Sequence, residues 1–263
     1  MSFLVNPYLY ASSACVDADA LAFLSAAAIT DPTITSAICT LVTSMKANGT
    51  WAKCSAIYPM VGGTATTHKF NLKNPLDTNA AFRLSFVGGW THSANGALPN
   101  GTNAYANTFL IPSTALTLNS HSFGIYSRTN NLTGTRLYGA FVTATAITLH
   151  NNLTGGNFNS GVVANAIIYT ANPSTSLLMA SRTTNTLFQA YRGGVSLGTN
   201  VVAVASIPNV NFYFGARNES GTANLFSTHQ LAFAFLGSGL NTTEAAALYN
   251  SVQAFQTTLS RQI

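Results

Sequence analysis

The side chains that could bind a ligand are concentrated in one segment rich in glycine and asparagine, in the first half of the chain. This segment contains Trp90, His92, Asn100, Asn103 and Tyr105. Sugars are bound by such sets, because their CH faces pack on aromatic rings while amide groups hydrogen-bond to their hydroxyls. The sequence therefore predicts a ligand-binding loop made of these five residues. The alternative is that Trp90 and Tyr105 only pack in the core or against a turn.

Groups that could perform catalysis are scarce, because the whole chain has six Asp and Glu residues. A glycosidase needs two carboxyl groups that face each other across about 5–10 Å. Residues 49–239 contain only Asp77 and Glu219, which lie far apart in the sequence. The chain also has no P-loop, no dinucleotide-binding glycine motif and no nucleophile elbow. We therefore expect that the protein is not an enzyme and has no catalytic residues.

Metal and cofactor sites are not predicted either. The five histidines are scattered along the chain, and Cys15, Cys39 and Cys54 do not have the spacing of zinc ligands. A calcium site would need several carboxylates or carbonyls, and carboxylates are few. We expect buried free thiols at the three cysteines, with one disulfide and one free thiol as the alternative.

The charge composition limits the partners. Of 263 residues, eleven are Lys or Arg and six are Asp or Glu, which is 6% charged. An ordinary soluble domain has about 25%. The basic residues are dispersed, whereas a nucleic-acid site needs a concentrated basic stripe, so we expect no nucleic-acid partner. We also expect no membrane span, because the longest apolar runs are far shorter than the roughly 20 residues that cross a bilayer.

The segment before residue 50 is predicted to form two helices. The first covers residues 20–29. The second has Asp31 as its N-cap and Pro32 at its first position, and it ends before Gly49. Apolar residues recur at helical spacing between these limits. The sequence therefore predicts that residues 1–50 are a helical N-terminal region.

The rest of the chain is predicted to be mainly β. In residues 51–235, short runs of β-branched and aromatic residues alternate with Gly, Asn and Pro turns, which predicts about a dozen strands. One of these predicted strands is 68–72. Asn241 and Glu244 have the spacing of a capping box and open a C-terminal helix. The pattern predicts an antiparallel β-sandwich with N-terminal helices and a C-terminal helix.

Seven segments carry a family resemblance. They are residues 51–64, 68–73, 178–182, 187–194, 212–218, 230–237 and 239–249. The last five resemble, in this order, the C-terminal half of concanavalin A-like (laminin-G-like) sandwich domains in bacteriophage virion proteins. The first two are similar to segments of phage tail or surface proteins. The resemblance implies a concanavalin A-like jelly roll over residues 51–263, with residues 1–50 as an anchor for assembly.

The resemblance also implies a function. It implies a protein on the virion surface that contacts other virion proteins, forms a homo-oligomer and attaches to a host-surface glycan or protein. Such a spike- or fibre-type receptor-binding protein would use non-covalent contacts and no cofactor. The alternatives are a structural capsid or decoration protein without a ligand, a free bacterial carbohydrate-binding module, and a polysaccharide-degrading enzyme.

Overall fold

The computed structural model describes residues 15–130, 136–152, 155–162, 167–169 and 173–263. Within these residues, a layer of helices covers a sandwich of two β-sheets. The helices are α1 (Ala18–Ala26), α2 (Pro32–Ala47), α3 (Thr50–Lys53), α4 (Ala65–His68), α5 (Pro112–Ala115) and α6 (Thr242–Thr258), with a 3-10 turn at Asn79–Ala81.

The strands are short and follow one another closely. They are β1 (Cys54–Tyr58), β2 (Ser85–Val87), β3 (Trp90–Ser93), β4 (Gly96–Pro99), β5 (Tyr105–Asn107), β6 (His121–Ser127), β7 (Arg136–Val142), β8 (Thr145–Asn152), β9 (Gly155–Val162), β10 (Ile167–Tyr169), β11 (Ser176–Arg182), β12 (Leu187–Arg192), β13 (Val195–Val201), β14 (Tyr213–Phe214), β15 (Arg217–Glu219), β16 (Thr222–Asn224) and β17 (Leu231–Gly237).

The strands form two sheets. Sheet I has the order β13-β12-β11-β6-β17-β4-β3, and β1 also pairs with β17. Sheet II has the order β10-β9-β8-β7-β14-β5-β2, and β15 joins it through a parallel pairing with β7 and an antiparallel pairing with β16. The other pairings are antiparallel, so the predicted fold class is confirmed.

The space between the sheets is filled by aromatic side chains. Phe123 of β6 contacts Tyr138 of β7 edge to face, with ring centroids 5.6 Å apart, and both are fully buried. Phe212 and Phe214, which flank Tyr213, belong to the same cluster. Because side chains alternate along a strand, Tyr213 points away from this core.

Sheet I is covered on its other face by α1, α2 and α6. Tyr126, Met179 and Phe235 of the sheet share a buried cluster with Ile38 of α2 and Phe255 of α6. Strand β17 therefore has apolar neighbours on both faces, which explains its uninterrupted apolar sequence. The division of the chain into regions 1–50 and 51–263 stays a prediction.

The predicted helix signals are confirmed, but both ends of the first helix are shifted, and it begins at Ala18 rather than at residue 20. Asp31 accepts a hydrogen bond from the amide of Ile34 at 2.9 Å and caps α2. Asn241 and Glu244 form a reciprocal capping box at the start of α6. The first helix ends at Ala26 rather than at residue 29, and Ala28 follows it with a left-handed backbone, φ 51°.

The predicted strand 68–72 is wrong. Residues 65–68 form α4, which is closed at its start by a capping box between Thr64 and Thr67. Asn71 then makes three contacts that replace strand pairing: its side chain accepts from the amides of Ile57 and Lys73 and donates to the carbonyl of Ala81. The local capping box of Thr64 and Thr67, together with the Asn71 hydrogen bonds to distant residues, therefore replaces strand pairing in this segment.

The expectation of three free thiols is also wrong, and the alternative is confirmed. Cys15 and Cys39 form a disulfide, whereas Cys54 is free and buried. Burial raises the pKa of the Cys54 thiol to about 12, so it is protonated and unreactive at neutral pH. The disulfide connects the segment before α1 to the middle of α2.

We predict that removing this disulfide destabilises the helical layer. The two cysteines are 24 residues apart in sequence, and closing a loop of this size constrains the unfolded chain by about 3 kcal/mol. Urea unfolding of a C15S/C39S variant should show a loss of this order. A C54S variant controls for the loss of a cysteine as such, and an unchanged midpoint in C15S/C39S would contradict the prediction.

Candidate functional site

The predicted ligand-binding segment is not a loop throughout, because it contains the β3–β4 hairpin at the edge of sheet I. Trp90 lies on β3 and packs against the core between the sheets. Its indole N–H donates to the carbonyls of Val87 at 3.1 Å and Tyr105 at 3.3 Å, and its ring meets Phe86 edge to face. These contacts account for Trp90 as a packing residue.

Asn100 and Asn103 are exposed and shape the turn that follows β4. The side-chain oxygen of Asn100 accepts from the amides of Thr102, Asn103 and Ala104, at 3.0 to 3.2 Å. Its amide group donates to the side-chain oxygen of Asn103 at 2.8 Å, and that oxygen also accepts from the amide of Gly89. Most of their hydrogen-bonding capacity is therefore used inside the turn.

Tyr105 has a different position, because it points out of the sandwich. Its neighbour Ala106 belongs to the core between the sheets, so Tyr105 faces away from it. The Tyr105 ring stacks on the ring of Tyr213, with centroids 4.6 Å apart and planes inclined by 21°. Tyr213 is 7% exposed, and burial together with the nearby Tyr105 raises the pKa of its hydroxyl. Tyr105 thus covers Tyr213 and remains partly exposed itself.

This tyrosine pair belongs to a larger surface, which we call the outer face: the side of sheet II turned away from sheet I. Gly139 of β7 is the register partner of both Tyr213 and Arg217, so these two residues lie on the same face of sheet II. The Arg217 guanidinium lies 4.5 Å from the centroid of the Phe141 ring. The outer face therefore presents aromatic rings next to hydrogen-bonding groups.

The polar part of the outer face is a small network. Arg217 forms an ion pair with Glu219 and donates from Nε to Asn224 at 3.1 Å, and Asn224 donates to Glu219. The Glu219 side chain is 36% exposed and that of Arg217 is 12% exposed. The charges of this pair cancel, so the outer face offers hydrogen bonds without a large net charge.

The structure therefore divides the five predicted residues. Tyr105 lies on the outer face, Asn100 and Asn103 lie in the adjoining turn, and Trp90 and His92 pack inward. Tyr213 was not predicted as a ligand-binding residue. Its outward direction follows from the alternation of side chains along a strand, because it stands between two core phenylalanines. The five-residue ligand set stays a prediction, and Tyr105 is the member best placed for it.

His92 makes an unusual contact with His68 of α4. Their Nδ1 atoms are 2.9 Å apart, so one neutral ring donates a hydrogen bond to the other. His68 is 1% exposed, and its Nε2 has no partner among the described residues. The donor is the ring whose tautomer carries its proton on Nδ1.

Neither a metal centre nor a membrane helix emerges from the described residues. In that part of the chain, no three His, Cys, Asp or Glu side chains come together to hold an ion. None of its helices is both long and apolar enough to cross a membrane.

Asp77 and Glu219, the two acids of residues 49–239, both form ion pairs. Asp77 pairs with Lys69 at 2.5 Å and with Arg83 at 3.6 Å, and Glu219 pairs with Arg217. The Lys69 hydrogen bond lowers the pKa of Asp77.

Comparison with solved structures shows the fold. Domain 4 of AbnA, a GH43 extracellular arabinanase from Geobacillus stearothermophilus solved with arabinotriose, matches with a TM-score of 0.51 and 16% identity, over 74% of this chain and 98% of that domain. A mutant Trypanosoma rangeli sialidase with trans-sialidase activity matches with a TM-score of 0.55 and 14% identity, over 83% of this chain and 39% of the sialidase. No family model matches the sequence. A search of the curated proteins finds no match either.

These likenesses correct one expectation. The shortage of paired carboxylates led us to expect that the protein is not an enzyme. The same sandwich fold is present in chains of two glycoside hydrolases, an arabinanase and a sialidase. Carboxylate counting along the sequence therefore does not exclude this class of protein.

We predict that the His68–His92 contact makes the fold sensitive to acid. Burial, with the charges of His92 and Arg261, lowers the pKa of His68 to about 3, and burial lowers the pKa of His92. In the unfolded chain both titrate near pH 6.5, so below that pH the unfolded state binds more protons. The stabilisation is complete above about pH 6.5 and is lost as the pH falls towards 3.

Urea unfolding at pH 7.5 and pH 4.5 measures this loss. Two pH units below the unfolded pKa correspond to roughly 2–3 kcal/mol for a histidine that stays neutral when folded. An H68Q/H92Q variant should lose less stability than the natural protein between the two pH values, by about that amount. Other titrating groups are common to both proteins and cancel. Equal losses would contradict the role of the pair.

Proposed function

We propose that this protein recognises a glycan through the outer face and that it does so on the surface of a phage virion. The observation that carries the proposal is the Tyr105–Tyr213 stack, which holds a partly exposed aromatic ring on the same sheet face as the Arg217–Glu219–Asn224 network. An aromatic ring accepts the CH face of a sugar, while neighbouring amide and charged groups bond to its hydroxyls. Tyr105 and Glu219 are partly exposed on this face, whereas Tyr213 is 7% exposed and the Arg217 side chain 12% exposed.

The position of the helical layer supports the choice of face. Sheet I carries buried clusters on both sides, whereas the outward residues of sheet II lie outside both clusters. The partly exposed side chains of the outer face, Tyr105, Phe141 and Glu219, are therefore the ones that a ligand can contact. The arabinanase domain, which was solved with arabinotriose, and the sialidase, which was also solved with sialic acid, share this fold. They make a saccharide a reasonable first ligand to test.

Attachment of a virion to its host is the finer part of the proposal. The sequence resemblance to phage virion sandwich domains motivates it, and the Cys15–Cys39 disulfide is in keeping with an oxidising environment outside the cell. Weak binding at each copy would be strengthened by avidity when many copies engage one cell. The capsid or decoration alternative has the same fold without a ligand, and copy number and position in the particle separate the two.

We predict that Tyr105→Ala weakens glycan binding by roughly tenfold, because one aromatic contact of about 1.4 kcal/mol is lost. Binding of the purified protein to immobilised arabino- and sialo-oligosaccharides on a glycan array, followed by calorimetry on the positive ligand, measures the effect. Tyr105→Phe keeps the ring and should retain binding. Thermal melts establish that both variants are folded.

The same proteins test attachment. Excess natural protein should block adsorption of the particle that carries it, and the Tyr105→Ala protein should block it much less. If the array is blank and neither protein blocks adsorption, glycan-mediated attachment is wrong. Binding that is equal in the natural and Tyr105→Ala proteins would leave glycan recognition standing and reject the outer face as its site.

Glycoside hydrolysis is a second candidate function, favoured by the fold shared with an arabinanase and a sialidase. Glu219 is the carboxylate on the outer face among the described residues. Its register partner is Phe141, two residues along β7 from Gly139, which pairs with Tyr213. Asp77 lies in an ion pair with Lys69 instead.

We predict that, if the protein cleaves arabinan or sialyllactose, Glu219→Gln lowers the rate at least a hundredfold, as expected when a general acid–base group is lost. Asp77→Asn is the matched control and should keep the rate. Release of reducing sugar or of free sialic acid measures turnover. No turnover of either substrate by the natural protein would reject this candidate.

A further inference from the structure

A groove lies at the end of the helical layer, on the side of sheet I that is turned away from the outer face. It is a groove of about 670 Å³, bounded by the α1–α2 connection, the turn after β1, the β3–β4 turn and the end of α6. Its volume falls in the range of about 300–1,000 Å³ that is typical of small-molecule sites. Its lining mixes apolar side chains with hydroxyl groups such as those of Thr33 and Ser260.

One wall of the groove contains a buried cation. Arg261 is 1% exposed, and each of its guanidinium nitrogens donates to oxygen atoms. Nε donates to the side chain of Gln256 at 2.8 Å. Nη1 donates to the carbonyls of Met60 at 2.7 Å and Ala94 at 3.3 Å. Nη2 donates to the carbonyls of Pro59 and Ala232, both at 3.0 Å. All of these acceptors are neutral.

The charge of Arg261 is therefore not cancelled. Among the described residues, no carboxylate lies within ion-pair distance of it. Asp31 also lines the groove, but it is exposed and caps α2. Burial lowers the pKa of Arg261 to about 9, which leaves it protonated at neutral pH, and its charge contributes to the lowered pKa of His68. A positive charge in poorly hydrated surroundings acts over a longer distance than one in water.

We propose that this groove binds a saccharide that bears a carboxylate, such as a uronic acid. The buried guanidinium attracts the carboxylate through space, because all its N–H groups are already engaged. The hydroxyls of Thr33 and Ser260 are available for hydroxyl groups of the sugar, and apolar lining contacts its CH groups. This site is separate from the outer face and does not depend on the proposed function.

The test compares ligands that differ by one charge. D-Glucuronate and D-glucose differ at C6, where a carboxylate replaces a hydroxymethyl group, and inorganic phosphate is an anion without a sugar. Calorimetric titration of the full chain at low ionic strength should show binding of glucuronate that is at least tenfold tighter than binding of glucose or phosphate. Raising the salt concentration should weaken it.

The matched variants are Ala94→Asp and Ala94→Asn, which have nearly the same shape and differ in charge. Ala94 is exposed and lines the groove, so either side chain can be accommodated without repacking the core. The Asp variant should bind glucuronate at least tenfold more weakly, and the Asn variant should stay within threefold of the natural protein. Equal binding of glucuronate and glucose, binding of phosphate as tight as that of glucuronate, or equal losses in both variants would overturn the proposal.

Discussion

Burial of sheet I on both faces is the constraint on which the rest of the structure depends. One face packs on sheet II and the other on α1, α2 and α6, so its central strands β6 and β17 are fully buried. A strand in that position has no side chain that reaches water, and charged residues there would have to be desolvated. The same arrangement leaves sheet II as the sheet with a solvent-facing side, and this is where the partly exposed tyrosine lies.

The few acidic residues of this protein all have a structural partner. Five of the six acids form ion pairs, and the sixth, Asp31, caps a helix. Cations outnumber acids, and two of the arginines, Arg182 and Arg261, are buried and donate to main-chain carbonyls. Carbonyl groups can satisfy the hydrogen bonds of a guanidinium but not its charge. Part of the excess positive charge therefore lies inside the protein, on these two buried arginines, rather than on its surface.

The parts of the fold that could be predicted from the sequence are those determined by local sequence signals. The caps at Asp31 and Asn241 and the apolar runs of the strands are local, and the helices and the sandwich followed from them. The prediction of a strand at residues 68–72 was wrong, because the side chain of Asn71 forms hydrogen bonds with residues 10 and 14 positions away and the segment has no strand partner among the described residues. The outer face was not predicted, because it is assembled across strands by register: Gly139 brings together Tyr213 and Arg217, and no local pattern encodes that.

The pairing of β1 with β17 has a consequence for how the chain is made. Residues 54–58 pair with residues 234–237, and α2 is joined to α6 by the Ser44–Ser251 hydrogen bond and by Asn48. During synthesis, the apolar faces of α1, α2 and β1 therefore stay uncovered until β17 and α6 have left the ribosome. Closure of so distant a contact makes folding slow. The nascent protein thus spends most of its translation as an incomplete sandwich, the stage at which a chaperone or a neighbouring copy can engage it.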